Sequence, residues 1–273
     1  MKEPLVTIIT PLLNTVEYVE KSVKSVLDQD YQNIEHLLVD GGSTDGSDKI
    51  VRDYELKYPG KVRLIEAPNS TVAEAWEIGY QKAKGSILGS IGADDTCEPG
   101  AVKTVANLFK NDPSLNVIQG HCDVVSPDGD LIMRNTATTF DVSDFINTAY
   151  YVATPSVYYR HKVIKEIGGL VVSGDDFDVM IRMAKLYDFF PVDQVFSKLM
   201  VREGTAFKSK DFNKRKESYY QTYLVSKKYG GSRISPLAKR YYVAKILEVM
   251  RLQRLFPIIR QLYRWVRGVN LSD

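Results

Sequence analysis

The chain has 273 residues, room for one large domain or two small ones, and its 44% apolar and 26% charged content excludes a disordered chain. A formal net charge of +2 excludes a nucleic-acid-type polycation, so no nucleic-acid partner is expected. No run of about 18 apolar residues is present to form a transmembrane helix.

Cys97 and Cys122 fit no zinc or redox spacing and cannot build a disulfide framework; they read as free thiols of a reducing cytoplasm. The opening "MKEPLVTIITPLLN" is too short in its apolar part for a signal peptide.

In chain order, Leu5 to Leu12 ("LVTIITPL") is a continuous β-branched run, as a buried parallel strand requires. Asn14 is a candidate helix cap, and Val16, Val19, Val23, Val26 and Leu27 then recur at helical spacing. "IEHLLVDGG" predicts a second strand, "STDGSDKIVRDYELKY" a turn and helix, and "VRLIEA" a third strand. "TVAEAWEIGYQKAKG" predicts a helix closed by Gly85, "SILGSIGADD" a fourth strand, and "PGAVKTVANLFK" a helix with Pro99 at its start. Such alternation predicts an α/β fold with a parallel sheet. After residue 115 the pattern changes. "NVIQGHCDVVSPDGDLIMRNT" predicts a hairpin about "SPDGD", and "YYVATPSVYYRHKVIKEIGGL" an extended piece and a short helix. "DDFDVMIRMAKLYD" predicts a helix with an acidic start, "PVDQVFSKLMVRE" a late strand, and everything from about Asp211 helix.

Ligands of open α/β sheets sit beyond the carboxyl ends of the strands. The strands here end at "TPLLN", "VDGGSTDGS" and "GADD", which gathers Asp40, Asp94 and Asp95 along one edge. Three acids beside glycines suit a nucleotide and a hard divalent cation, Mn²⁺ or Mg²⁺, whose ligands are carboxylate oxygens and substrate phosphates. Each motif also has a plain reading. "GGSTDGS" can be a turn that caps the next helix, "GADD" a strand-end turn, and Asp175, Asp176 and Asp178 helix N-terminal acids.

Taken together and in order, "VTIITPLLN", "SVLDQDYQNIEHLLVDGGSTDGS", "GADD" and "GDDFDVMIRMAK" resemble the family-2 glycosyltransferases with a GT-A fold. The resemblance covers roughly residues 4 to 205. It implies a Rossmann-like, mostly parallel central sheet flanked by helices, with a helical C-terminal extension. It implies a catalytic domain over 1–210, its nucleotide-binding part about 1–115 and its acceptor-binding part about 116–210, followed by an extension over 211–273. The implied activity is inverting transfer of a sugar from a nucleotide diphosphate, UDP first, to an acceptor hydroxyl.

Carried over by residue, the resemblance implies that Thr10 and Pro11 line the nucleoside pocket and that Asp40 hydrogen-bonds the base. Asp95 is then the main metal ligand, Asp94 supports ribose or metal, and Asp176 is the catalytic base. Arg202, Lys208 or Lys210 would lie near the pyrophosphate; a solvated basic loop is the plain alternative. Inversion needs one base on the far face of the sugar and no nucleophilic side chain. The chain departs from the common pattern at Leu13, Gly41, Gly92 and Asp175, where many members carry an aromatic, an acid, an acid and a Glu. His36 and His161 carry little information, and His121 and Asp123 flank Cys122, which a strand turns to the opposite face.

Ser235 to Gly268 mixes Arg and Lys with Leu, Ile, Tyr and Trp, and Pro257 should kink it. A basic amphipathic helix suggests an anionic membrane surface, peripheral on the cytoplasmic face, which would suit a lipid-linked or saccharide acceptor in surface polysaccharide or glycolipid assembly. Packing on the domain, or a homo-oligomer contact, is equally open. "QLYRW" matches a polysaccharide-synthase motif but lies too far beyond "GDDFD" to serve as one. Two rival functions stay open: a non-catalytic nucleotide-sugar-binding partner subunit, and a nucleotidyltransferase. The latter class usually has a Gly-rich loop after the first strand, whereas "TPLLNTVEYVEK" has no glycine.

Overall fold

A computed structural model describes residues 3–148, 152–170, 176–202, 211–250, 252–256 and 258. The chain divides into two compact units. The first comprises Met1–Val124, Arg134–Thr139 and Val152–Met200; the second comprises Val125–Met133, Phe140–Tyr151 and Val201–Asp273.

The first unit is built on alternation. It runs β1 (Val6–Leu12), α1 (Val19–Leu27), β2 (Ile34–Asp40), α2 (Ser47–Lys57), β3 (Val62–Glu66), α3 (Val72–Lys82) and β4 (Ile87–Ser90). A short β5 (Thr96–Cys97) and α4 (Ala101–Asn111) come next. Then follow β6 (Val117–Val125), β7 (Leu131–Asn135), β8 (Val157–Arg160), α6 (His161–Glu166), α7 (Asp176–Ala184) and β9 (Phe189–Met200); α5 (Val142–Thr148), between β7 and β8 in the chain, belongs to the second unit, as do the last residue of β6 and the first three of β7. The strand order is β3-β2-β1-β4-β8-β6-β9-β5, with β7 on β6. The first four strands are parallel, with Leu12 opposite Asp40 and Ile9 opposite Ser90. The β4–β8, β8–β6 and β5–β9 pairings are antiparallel. The α/β fold with parallel strands at its centre, helices on its faces and helices towards its C-terminus is the one the motifs implied.

The sheet forms because its strands bury both faces. Every residue of β2 is buried, and β1 buries all but Pro11. Helix α1 turns Val19, Val23 and Val26 inward, all at 0% exposure, each contributing about 1.5–3 kcal/mol by burial. Helix α3 carries a capping box: Thr71 accepts from Glu74 N–H, and the Glu74 carboxylate accepts from Thr71 N–H. It also lies unusually close to β1, because a Cβ at Gly79 would stand 2.4 Å from Ile9 Cγ2.

Three local expectations need correction. Asn14 does not cap α1. It sits at φ 50° before the helix, and its side-chain oxygen accepts from Thr44 N–H instead (2.9 Å). Gly85 does not close α3, which ends at Lys82; a Cβ there would lie 2.6 Å from Thr7 Oγ1, so glycine serves close approach to β1. Pro99 lies before α4, whose cap is Gly100 at φ 79°.

In the second unit, Asp211 caps α8 (Phe212–Lys228) by accepting from Asn213 and Lys214 N–H, and Ser235 caps α9 (Pro236–Val249) by accepting from Ala238 N–H. Helix α9 and the residue after it expose Tyr242, Val243, Ile246, Val249 and Met250, with Lys239 and Lys245 also exposed. Pro257, "QLYRW", Asp175, Lys208 and Lys210 lie outside the described residues. Among the described residues no helix is long and apolar enough to cross a membrane. Both cysteines are free and buried, and burial pushes the Cys97 thiol up to about 12 and the Cys122 thiol up to about 11.

Candidate active site

Strand order reverses at β1: β2 and β3 lie to one side, β4 to the other. Ligands of open α/β sheets bind at such a switch point, outside the carboxyl ends of the strands. Pro11 sits at that end of β1, Asp40 closes β2, and Asp94 and Asp95 follow β4.

The loops after β1 and β2 are laced together. Asn14 N–H donates to Ser43 Oγ (3.0 Å), Thr15 N–H to Ser47 Oγ (2.8 Å) and Val16 N–H to Asp45 Oδ2 (2.9 Å). Asp40 is buried and accepts twice at Oδ1, from Ser43 N–H (3.0 Å) and the Ser43 hydroxyl (2.6 Å). For Asp45, burial acts upward, but the hydrogen bonds from Ser47 and Val16 outweigh it and hold the carboxyl below its usual value. "GGSTDGS" is thus both a turn and the frame that fixes Asp40.

Thr10 points inward. It is fully buried, and its hydroxyl is paired with His36 Nε2 (2.9 Å). His36 is itself fully buried, and desolvation lowers its imidazole to about 3. Pro11, at the partly exposed end, is the member of the pair nearest the surface.

The adjacent aspartates are held apart in role. Asp95 is buried, with Oδ1 accepting from Met200 N–H (2.9 Å) and Oδ2 from Gly92 N–H (3.2 Å). Asp94 is half-buried beside it. A Cβ on Gly92 would stand 2.5 Å from Asp95 Oδ2 and 2.9 Å from Asp94 Oδ1. One carboxylate oxygen from each residue therefore stands over Gly92, where only a glycine leaves them room. Two hard carboxylate oxygens brought together in this way are of the kind that Mg²⁺ or Mn²⁺ takes as ligands. Among the described residues no group of three or more His, Cys, Asp and Glu side chains forms a complete metal site, so a cation here would draw on substrate oxygens as well.

Asp176 opens α7 and is exposed; its Oδ2 accepts from the Thr154 hydroxyl (3.0 Å). It borders a small cavity of about 20 Å³ with Ile9 of β1, Ser90 at the end of β4, Trp76 of α3 and Tyr159 of β8. Burial raises the Tyr159 hydroxyl above its usual value, with Tyr80 and Asp176 adding to the rise. Two turns into the same helix region, Arg182 pairs with fully buried Asp178 (2.7 Å) and donates to the carbonyls of Ile167 and Gly169 (both 2.6 Å). That clamp ties α7 to the chain leaving α6.

Pro11, Asp40, Asp94 and Asp95 thus stand at or just beyond neighbouring strand ends, and Asp176 shares a cavity with Ile9 of β1 and Ser90 of β4. Arg202 is half-buried and belongs to the second unit. His121 is structural: Nδ1 accepts from Ala137 N–H (3.0 Å), which leaves Nε2 to donate to Asp193 (2.9 Å). His161 bonds the Gly85 carbonyl (2.9 Å). Thr154 and Trp76 are site residues that sequence reasoning missed. Trp76 stands three residues before Gly79, on the side of α3 that meets the sheet.

The family model described as Glycosyl transferase family 2 matches residues 7–184. Chondroitin synthase of Pasteurella multocida is 25% identical over 219 residues, 78% of this chain and 22% of that protein. Glycosyltransferase GlyG of Streptococcus pneumoniae is 30% identical over 141 residues, 51% of this chain and 46% of that one. The chain therefore spans less than half the length of these relatives. Among solved structures, the mannosyltransferase PcManGT of Pyrobaculum calidifontis, in complex with GDP-Man and Mn²⁺, has a TM-score of 0.62 at 19% identity, covering 90% of this chain and 70% of that one. S. aureus TarS 1-349 in complex with UDP-GlcNAc has a TM-score of 0.57 at 19% identity, covering 80% and 66%. With the family match spanning well over half of the chain and the switch point carrying its acids, this chain belongs to glycosyltransferase family 2.

Proposed function

We propose that this chain transfers a sugar from a nucleoside diphosphate, UDP first, to a hydroxyl of a saccharide or lipid-linked acceptor, with inversion at the anomeric carbon. The observation that carries the reading is the pair of carboxylate oxygens, one each from Asp94 and Asp95, that meet over Gly92 just beyond β4. Relatives named for chondroitin synthesis and for minor teichoic acid biosynthesis support a place in surface polysaccharide or glycolipid assembly.

In this reading residues 1–115 hold the nucleotide, 116–210 the acceptor, and 211–273 form an extension. Pro11 borders the nucleoside, with Thr10 locked beneath it by His36. Asp40, already oriented by Ser43, accepts from the base. Asp95 and Asp94 hold the cation and the ribose, and Arg202 serves the pyrophosphate. Mn²⁺ or Mg²⁺ supplies neutralisation of the charge that grows on the leaving diphosphate.

The reaction needs one proton acceptor. Asp176 takes the proton of the acceptor hydroxyl as that oxygen forms its bond to the anomeric carbon. The bond from that carbon to the diphosphate oxygen breaks, and its electron pair leaves with the nucleotide. The Thr154 hydroxyl donates to Asp176 Oδ2 and so orients the carboxylate that takes the proton.

Thermal shift with UDP, GDP, dTDP and CDP, each with and without Mn²⁺, tests this. Ligand at a hundred times its Kd stabilises by about 2.7 kcal/mol, several degrees for a chain of this size. A shift with UDP that requires Mn²⁺ is expected. No shift with any nucleotide overturns the reading and returns "GADD" to a turn.

A further inference from the structure

The two units differ in charge. The first holds 19 Lys and Arg against 25 Asp and Glu, a net of −6; the second holds 17 against 9, a net of +8. An excess of this size within one unit points to an anionic partner. Helix α9 shows what else that partner must offer. Its Leu237, Ala238, Ala244 and Leu247 are buried. Its Tyr242, Val243, Ile246 and Val249 are exposed, the last two at 55% and 75%, and Met250 just after the helix is exposed at 60%. These five recur at separations of three and four residues, so they form one stripe. An ordinary surface helix is apolar on one face and polar on the other. Helix α9 turns one apolar face inward and a second one outward.

The polar neighbours of the outward stripe are cations. Lys239 heads it and Lys245 flanks it, both exposed. The one acid within α9, Glu248, is paired with Lys216 of α8. An aliphatic stripe with cations beside it is complementary to a surface that is negative at its headgroups and apolar just beneath them. We propose that this face of α9 lies on an anionic lipid bilayer. Ile246, Val249 and Met250 enter the boundary between headgroups and acyl chains, while Lys239 and Lys245 reach up to the headgroups. The helix has 14 residues, about 21 Å of α-helix, short of the ~30 Å hydrocarbon core. It therefore lies in the plane of the surface and does not span it.

Other occupants fit less well. A second copy of the chain would bring the same positive unit against this one, like charge on like. A nucleic acid would satisfy the lysines but leave Ile246 and Val249 in water. The inference goes beyond the transferase reading and stands apart from it, because lipid binding needs no turnover.

The full chain is mixed with vesicles of phosphatidylcholine alone, or of phosphatidylcholine with phosphatidylglycerol, and binding is measured by flotation. Binding to the mixed vesicles is expected, weakened by added salt. Ile246→Glu should weaken it at least about tenfold, because apolar burial is lost and a negative charge meets an anionic surface. Lys245→Gln leaves the stripe intact and should weaken it about fivefold. Leu56→Glu makes the same kind of change at a residue of α2, in the first unit, that is 80% exposed; binding should stay within about twofold of the parent. All three side chains are exposed, so the fold should survive each change. Equal binding to both vesicle types, binding to neither, or an unchanged affinity in Ile246→Glu overturns the proposal. A parent chain that ignores vesicles, is dimeric by light scattering and becomes monomeric as Ile246→Glu also overturns it, and gives the stripe to a second copy.

Discussion

The two sides of the strand edge are built differently. On the side proposed for the nucleotide, polar groups satisfy one another: Asn14, Ser43, Thr44, Asp45 and Ser47 cross-link two loops before any ligand arrives. On the side proposed for the acceptor, Asp176 stands exposed beside a small cavity whose lining mixes Leu170, Met180 and Met183 with Ser90 and Thr154. A nucleoside diphosphate offers the same polar groups every time, so a pre-made hydrogen-bonded frame can receive it with little ordering cost. Acceptors differ in shape and substituent, and a cavity of mixed polar and apolar lining discriminates by what fills it.

The comparison can be broken at its strongest point by Asp176→Asn. The amide keeps the shape but cannot take a proton, so turnover should fall about a thousandfold, ~4 kcal/mol, as for loss of a general base. Nucleotide binding, read by thermal shift, should stay within about twofold of the parent, since the laced loops are untouched. Turnover near that of the parent removes Asp176 from the base role.

Gly92→Ala probes the other side. The new Cβ would overlap carboxylate oxygens of both aspartates, so Asp95 must leave the Gly92 N–H. Overpacking of this kind costs ~1–3 kcal/mol, which predicts Mn²⁺-dependent nucleotide binding weakened up to about a hundredfold by calorimetry. Metal-dependent binding unchanged in this variant means that Asp94 and Asp95 hold no cation.

The smallest effect sharpens the boundary beneath both sides, at His36. Its folded value is about 3, below the 6.5 of an ordinary imidazole. Below pH 6.5 the unfolded chain takes up a proton that the native chain refuses. The His36 contribution is therefore complete above pH 6.5 and declines as pH falls towards 3. Between pH 6.5 and 5 the loss approaches ~2 kcal/mol. His36→Gln should flatten that part of the urea-denaturation pH profile, whatever its effect on absolute stability. An unchanged slope assigns the acid sensitivity to other groups.

Much of this was legible in the chain because it is local. Periodicity located the first four strands and their helices, and strand ends in Asp40 and "GADD" pointed to the edge. Long-range contacts were not legible. Asn14 looks like a cap until the loop after β2 supplies Thr44 as its partner. Thr10 looks like a pocket residue until His36, two strand positions from its register partner Leu38, takes its hydroxyl. Thr154 carries no signal of its own, because its role is defined by Asp176, 22 residues on. Helix α5 had a usable one: Asp141 accepts from Ser143 and Asp144 N–H just ahead of buried Phe145 and Ile146.

The close seat of α3 on β1 at Gly79 has a consequence for how such a site can diversify. With no Cβ on Gly79, the helix backbone rests directly against the Ile9 and Val39 side chains, closer to the sheet than any larger residue there would allow. Trp76 lies one turn away on the same helix. Exchanging it for a smaller or larger residue would alter the depth of the cavity without lifting the helix. Position 76 then behaves as a gauge: a lineage could reshape the cavity beside Asp176 by resizing a single side chain, while the carboxylates proposed for the chemistry stay where they are.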